Sequence, residues 1–257
     1  MNQPYVKIIN VTQAVNAQPR SAQEIIRDAR ITQAPNGICY TTFGDVMLPS
    51  DDLERIVGAP PRSIAAALDR KAFYFVPLAI GDGDKTLIPE RFEGAPPEGA
   101  ICHRNIDSGN SQCVFISTRL LDERFAIAFE FYINVGHAFV DKVGISPEFG
   151  ELVWSQAQSN VHGETSLDAH EFRKMAQASG SGRVDEKAKS DYLAAAFCDS
   201  IAIYLLSLCL DVDYYELRER DYPLLAPSAL AERLKKVAAL FPPNPGFQFN
   251  IFHKRRS

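Results

Sequence analysis

Residues 119–143 read RLLDERFAIAFEFYINVGHAFVDKV, and this stretch has the spacing of one long helix. Thr118 is placed to cap its first turn, and Gly144 is placed to end it after Val143. A helix that is apolar on nearly all sides is buried, so the sequence predicts that this helix lies at the centre of the fold. Its apolar residues cover most of the circumference and are Leu121, Phe125, Phe129, Tyr132, Gly136, Phe139 and Val140.

Four polar residues interrupt this apolar surface at steps of four, three and four, and they are Glu130, Asn134, His137 and Asp141. These steps place all four on one helix face, as a continuous polar stripe. A buried polar group without a partner costs about 1–3 kcal/mol, so the stripe must meet water, a ligand or other polar groups. Two interpretations stay open: an ordinary polar network or solvent-filled groove, and a functional cleft.

The rest of the chain divides at the start of this helix. Residues 1–117 contain short strand-like runs and a few short helices, residues 118–241 have helical periodicity, and residues 242–257 form a tail. The sequence therefore predicts an α+β fold in one domain, residues 1–257, with a small mixed sheet in the N-terminal half packed on a helical C-terminal half. Predicted helices outside the quoted stretch begin near Ser21, Ser50, Pro147, Ser166, Val184 and Ser228, and GDGDK at 81–85 is predicted to be a hairpin turn.

Composition excludes several classes of protein. The 257 residues carry a net charge of −5, which argues against a protein that wraps nucleic acid, despite a small basic tail at 253–256. Five cysteines without a CxxC pair are typical of reduced thiols, and the N-terminus lacks the features of a signal peptide. The apolar run 193–210 is interrupted by Asp199 and predicts a buried core helix rather than a membrane span. We therefore expect a cytoplasmic protein without a membrane partner.

Three segments resemble bacterial metallopeptidases of the zincin class. RFAIAFE at 124–130 is similar to the RFTLAHE entry of the ImmA/IrrE family, and GHAFVDKVGISP from Gly136 looks like a GHALID segment. EKAKSDYLAAAFC from Glu186 resembles the helix from which such families take their third zinc ligand. The resemblance covers roughly residues 110–210 and implies a zincin-like core. It also implies that Glu130 is the catalytic base and that His137, Asp191 and Glu186 are the candidate metal ligands.

The HExxH motif itself is lost. This motif places two histidines four residues apart as zinc ligands, with the intervening Glu as general base. Aligning Glu130 with the base puts Phe129 and Ile133 at the histidine positions, whereas aligning His137 with the second histidine puts Asn134 at the base. We therefore predict a catalytically inactive zincin-like protein that binds an unknown protein or peptide partner in a cleft along Glu130, Asn134, His137 and Asp141, without a cofactor.

Other segments of the sequence suggest three alternative functions. A metal-dependent hydrolase with a non-standard ligand set would need zinc, and a second cluster of ligand-type residues stands at His162, Glu164, His170 and Glu171, with Lys174 where a second histidine would be needed. A DNA-binding regulator would use residues 56–73, which resemble two helices of a helix-turn-helix. Cys102 beside His103 is disfavoured as an activated thiol, because adjacent strand residues point to opposite faces.

Overall fold

The computed structural model describes residues 19–46, 48–81, 85–91, 102–119, 123–177, 184–211 and 222–252. The strand predicted from Tyr5, the turn at 82–84, most of the Pro- and Gly-rich loop after Pro89, the SGSG segment at 179–182 and the basic tail lie outside these residues.

The described residues of the N-terminal half form two sheets. The elements in chain order are β1 Arg20–Ser21, α1 Ala22–Asp28, β2 Thr32–Gln33, β3 Cys39–Thr42, α2 Ser50–Gly58, α3 Arg62–Ala65, β4 Lys71–Val76, β5 Ala79–Gly81, β6 Lys85–Ile88, β7 His103–Ser108 and β8 Ser111–Ser117. A mixed sheet has the order β2-β3-β4-β8-β7, in which β3, β4 and β8 are parallel and both outer strands are antiparallel. This mixed sheet confirms the predicted fold class. The second sheet, β1-β6-β5, is antiparallel.

The C-terminal half is helical, as the periodicity predicts. Its elements are α4 Glu123–Val143, α5 Pro147–Gln158, α6 Leu167–Gln177, α7 Glu186–Cys209 and α8 Pro227–Leu240. Ser166 caps α6, since its Oγ accepts a hydrogen bond from Ala169 N at 3.1 Å. The predicted cap of α4 was wrong: the Thr118 hydroxyl donates to Asp45 O at 2.8 Å, and the helix begins later, at Glu123. Thr118 therefore belongs to the end of the sheet.

Helix α4 packs on one face of the mixed sheet. The rings of Phe73 on β4 and Phe131 on α4 meet edge to face with centroids 4.8 Å apart. Alternate residues of the same strands pack on the opposite face, where Tyr74 and Phe115 join a second cluster with Ile25 of α1. One hydrophobic core runs from the sheet through α4 to α7 and α8. The expectation that α4 is central is therefore confirmed.

Helices α4 and α7 pack closely against each other at Gly136. A Cβ added at this glycine would lie 2.8 Å from the backbone oxygen of Cys198, so a larger residue cannot be accommodated without moving one helix. By length and composition α7 can cross a membrane, but 72% of its most apolar window is buried inside the fold. This is how the core helix of a soluble protein behaves, and it agrees with the prediction of a buried helix.

A buried ionic network joins the C-terminal helices. Glu164 precedes α6 and is fully buried, and its carboxylate accepts hydrogen bonds from Arg233 Nη1 at 2.9 Å and from Arg173 Nη1 at 3.1 Å. The Tyr192 hydroxyl donates to the same carboxylate at 2.6 Å. The side chain of Arg233 is also inaccessible to solvent and donates through Nε to Gln156 at 2.8 Å. These bonds connect α5, α6, α7 and α8.

Residues 56–73, which the DNA-binding alternative would use, form short helical elements followed by a strand. They comprise the end of α2, the one-turn helix α3, a 3-10 turn at Ala66–Leu68 and the first residues of β4. The would-be recognition helix that opens at Arg62 is therefore only four residues long. The last residues of the segment, Lys71 to Phe73, pair with β3 and β8 in the central sheet.

Candidate functional site, a polar groove between α4 and β7

The N-terminal end of the polar stripe is a hydrogen-bonded cluster. His103 is the first residue of β7, and its Nδ1 lies 2.5 Å from Glu130 Oε1 on α4. The Asn134 amide donates to the same Oε1 at 3.0 Å and to the Glu130 backbone oxygen at 2.9 Å. The hydrogen bond to Glu130 raises the pKa of His103, because the carboxylate favours the imidazolium form. Glu130 is therefore already engaged by two neighbours.

The other end of the stripe is open. His137 and Asp141 are both exposed. Neither Glu130 nor Asp191 forms a direct hydrogen bond with His137: Glu130 bonds to His103 and Asn134, and Asp191 bonds to Lys187 at 2.8 Å. His137 stands seven residues, about 10 Å, along the helix from Glu130, too far for a direct contact.

Strand β7 turns one polar face toward this stripe. Its residues His103, Asn105 and Asp107 stand opposite Ile116, Val114 and Gln112 of β8. Val114 and Ile116 belong to the core on the α4 side of the sheet, and directly paired residues project to the same face. The side chains of His103, Asn105 and Asp107 therefore project on the α4 side.

The strand and the helix run side by side. His103 contacts Glu130 at one end, and at the other end Asp107 and Asp141 line the same cavity of about 680 Å³, together with Lys71 and Lys142. From Glu130 to Asp141 the helix rises about 16 Å. From His103 to Asp107 the strand spans about 13 Å, a comparable length. We call this cleft the α4–β7 groove, defined by Glu130, Asn134, His137 and Asp141 on α4 and by His103, Asn105 and Asp107 on β7.

The outer edge of β7 has no strand partner within the part of the chain that the structure describes. Ser117 N donates to Cys102 O at 2.8 Å, which marks these two residues as a hydrogen-bonded pair of the antiparallel ladder. Because the pairs alternate, the backbone groups of residues 104, 106 and 108 face β8, whereas those of residues 103, 105 and 107 face outward. The groove is therefore bordered by backbone donors and acceptors that have no strand partner among the described residues.

The implied metal ligands are not brought together. Asp191 forms an ion pair with Lys187 at 2.8 Å, and Glu186 forms one with Lys189 at 3.7 Å. Asp191 also lies seven residues, about 10 Å, along α7 from Cys198, which lies against Gly136 of α4. Among the residues that the structure describes, no three His, Cys, Asp or Glu side chains are grouped as a metal site. Phe129 and Ile133, at the positions of the lost histidines, both pack against the hydrophobic core.

The second cluster of ligand-type residues separates in the fold. Glu164 is buried in the network with Arg233, whereas Glu171 lies on the surface and bonds to Lys174 at 2.8 Å. His162 is exposed, and the ring of His170 lies beside Tyr222 with centroids 6.4 Å apart. Partial burial lowers the pKa of His170. Glu164 is thus a structural residue, which its sequence neighbourhood did not indicate.

Cys102 is not activated by its histidine neighbour. Burial, with the negative charge of Glu130, raises the pKa of this thiol, so the reactive thiolate is disfavoured. His103, meanwhile, directs Nδ1 to Glu130. Sequence reasoning named Glu130 but missed His103 as its partner, and the sequence signal was limited to a polar residue at the start of a strand.

Comparison with protein-family models, with curated proteins and with solved structures found no match for this chain.

Proposed function

We propose that this chain is a zincin-like protein without peptidase activity, which binds a segment of a partner polypeptide in the α4–β7 groove and acts in regulation in the cytoplasm. The observations that carry the proposal are the contact of the polar stripe of α4 with β7 through Glu130 and His103, and the position of β7 at the edge of the sheet in the described part of the chain. An extended segment added to a sheet edge gains backbone hydrogen bonds, and its alternate side chains enter the adjoining cleft.

Three features favour binding over hydrolysis. The positions of the zinc histidines hold Phe129 and Ile133, which cannot ligate a metal. The Glu130 carboxylate accepts hydrogen bonds from His103 and Asn134 rather than standing free as a base. A hydrolase with a non-standard ligand set would need Glu186 and Asp191 to leave their lysine partners.

Selection from a library of random peptides on the purified full chain tests the proposal. Enriched peptides are then titrated by fluorescence polarisation against the wild type and two variants at one position. Asn105→Pro removes an outward N–H without breaking a bond to β8, whereas Asn105→Ala keeps that N–H. We expect Asn105→Pro to weaken binding at least tenfold and Asn105→Ala to stay within threefold.

Failure of the selection to enrich any peptide, or equal binding by both Asn105 variants, contradicts the proposal. Circular dichroism and thermal melting confirm that the proline variant is folded. Elemental analysis addresses the hydrolase alternative, since we expect no stoichiometric zinc in the native protein. One tightly held zinc per chain that is lost in His137→Ala would replace the binding proposal by the hydrolase.

A further inference from the structure

The edge strand β7 carries side chains that complement each other when two copies of the strand run antiparallel. On the α4 side they are His103, Asn105 and Asp107, so a base and an acid stand at opposite ends with a neutral amide between them. Charges on an edge strand commonly oppose pairing with another chain. Here they oppose only the parallel arrangement in register, because the antiparallel one places each acid opposite a base.

The two side chains at the ends of β7 retain hydrogen-bonding capacity. His103 uses Nδ1 for Glu130, whereas its Nε2 bonds to no residue of the described chain, and 42% of the side chain is exposed. The hydrogen bond to Glu130 raises the pKa of His103, and the imidazolium form that it favours donates from both ring nitrogens. Asp107 is exposed and accepts through Oδ1 alone, from Gln112 Nε2 at 3.3 Å, so its second oxygen can accept from an imidazolium.

The backbone of β7 specifies the register of such a pair. The outward backbone groups belong to residues 103, 105 and 107, and hydrogen-bonded pairs of an antiparallel ladder join two outward-facing residues. With Asn105 opposite Asn105 of a second copy, His103 of each copy lies opposite Asp107 of the other. These three pairs exchange about six backbone hydrogen bonds. A shift of the register by two residues would lose some of these bonds and would separate each acid from its base.

We propose that β7 pairs with β7 of a second copy of this chain, in a two-fold antiparallel dimer with Asn105 at the axis. This inference rests on the proposed function, since it identifies the polypeptide segment that adds to the edge of β7. Each copy then supplies Asp107 to the His103–Glu130 pair of the other, so each imidazole lies between two carboxylates.

The geometry of the dimer follows from the pairing. Directly paired residues project to the same face, so the axis is perpendicular to the sheet and both α4 helices lie on one face of the joined sheet. Strand β7 has only six residues, and small interfaces are weak. We therefore expect a dissociation constant on the order of 10 μM.

Cysteine trapping in the full chain tests the register. Asn105→Cys places the introduced thiols of two copies directly opposite each other, with Cα atoms about 5.5 Å apart, a separation that a disulfide spans. The matched control is Asn110→Cys in the exposed turn after β7, where the two introduced thiols would be ten residues of strand, about 33 Å, apart. Under mild oxidation, we expect Asn105→Cys to form covalent dimers at least tenfold faster than Asn110→Cys. The wild type, with its five native cysteines, gives the background rate.

Sedimentation velocity measures the association without a cross-link. We expect Asp107→Asn to weaken the dimer about three- to tenfold, because it removes the charge opposite His103. Removal of an exposed carboxylate on α6, by Glu171→Gln, should leave the dissociation constant within twofold of the wild type.

Three outcomes overturn the inference. They are a wild-type chain that stays monomeric at every concentration reached, equal cross-linking of Asn105→Cys and Asn110→Cys, and equal dissociation constants for Asp107→Asn and Glu171→Gln. Peptides enriched on a monomeric chain would reject the second copy as the occupant and retain the groove. The failure of this inference is thereby distinguished from the failure of the proposed function.

Discussion

Replacing Glu164 by alanine tests the buried ionic network most directly. The carboxylate is inaccessible to solvent and accepts hydrogen bonds from Arg173, Tyr192 and Arg233. Its removal leaves the fully buried guanidinium of Arg233 without a counter-ion. Breaking a buried ion pair by removing one partner costs about 3–5 kcal/mol, so we expect Glu164→Ala to lower the free energy of unfolding by that amount.

The matched control is Glu171→Ala in α6. Glu171 pairs with Lys174 on the surface, where both side chains are more than half exposed. Exposed pairs contribute about 0–1 kcal/mol, so this variant should unfold almost as the wild type does. The comparison therefore separates loss of a carboxylate from loss of a buried counter-ion.

Urea unfolding at pH 7 provides the assay, followed by circular dichroism and by the fluorescence of Trp154, whose ring lies 6.5 Å from that of Tyr192. For an m-value of about 2–3 kcal/mol per M, Glu164→Ala should lower the midpoint by about 1–2 M. A loss below about 1 kcal/mol would refute the reasoning, because the network would then contribute no more than a surface pair.

Three further predictions concern titration and packing. Burial raises the pKa of Asp199 from 3.8 to about 6, so the contribution of its protonated form to stability is present below pH 3.8 and is lost as the pH rises through 6. Asp199→Asn does not titrate. In urea titrations, the free energy of unfolding of this variant relative to the wild type should therefore increase by up to about 3 kcal/mol between pH 4 and pH 8. An NMR titration should give His103 a pKa above 6.5, and Glu130→Gln should lower it; an unchanged value would contradict their hydrogen bond. Gly136→Ala should cost about 1–3 kcal/mol because it forces α4 and α7 apart, whereas an added Cβ at Gly150 meets its nearest atom at 3.7 Å and should be tolerated; equal melting temperatures would contradict this packing.

Local patterns predicted the elements well. The capping box of Ser21 and Glu24 forms as expected, with Ser21 N donating to Glu24 Oε2 at 2.7 Å. The predicted hairpin around 81–85 is present as the antiparallel pair of β5 and β6. Both features depend on residues within a few positions of each other, whose interactions short sequence windows contain. The error at Thr118 arose because a distant backbone group, Asp45 O, competes for its hydroxyl.

The sequence predicted only one of the two walls of the candidate groove. The stripe of Glu130, Asn134, His137 and Asp141 follows from helical spacing alone. The opposite wall of the groove is strand β7, and its choice of face depends on the register with β8 and on the order of strands in the sheet. The resemblance to zinc peptidases identified Glu130 and implied that His137 and Asp191 lie near it as metal ligands. In the structure, the Glu130 carboxylate instead forms hydrogen bonds with His103 and Asn134.

The sequence by itself determined the periodic elements, the centrality of α4 and the presence of polar residues that need partners, because these properties depend on side-chain spacing along one segment. The tertiary structure alone decided which partners those residues obtain. Glu130 meets a histidine 27 positions earlier, and Glu164 meets an arginine 69 positions later. Such pairs form only when separate elements pack, and the same local patterns are compatible with many packings, so the sequence pattern did not specify them.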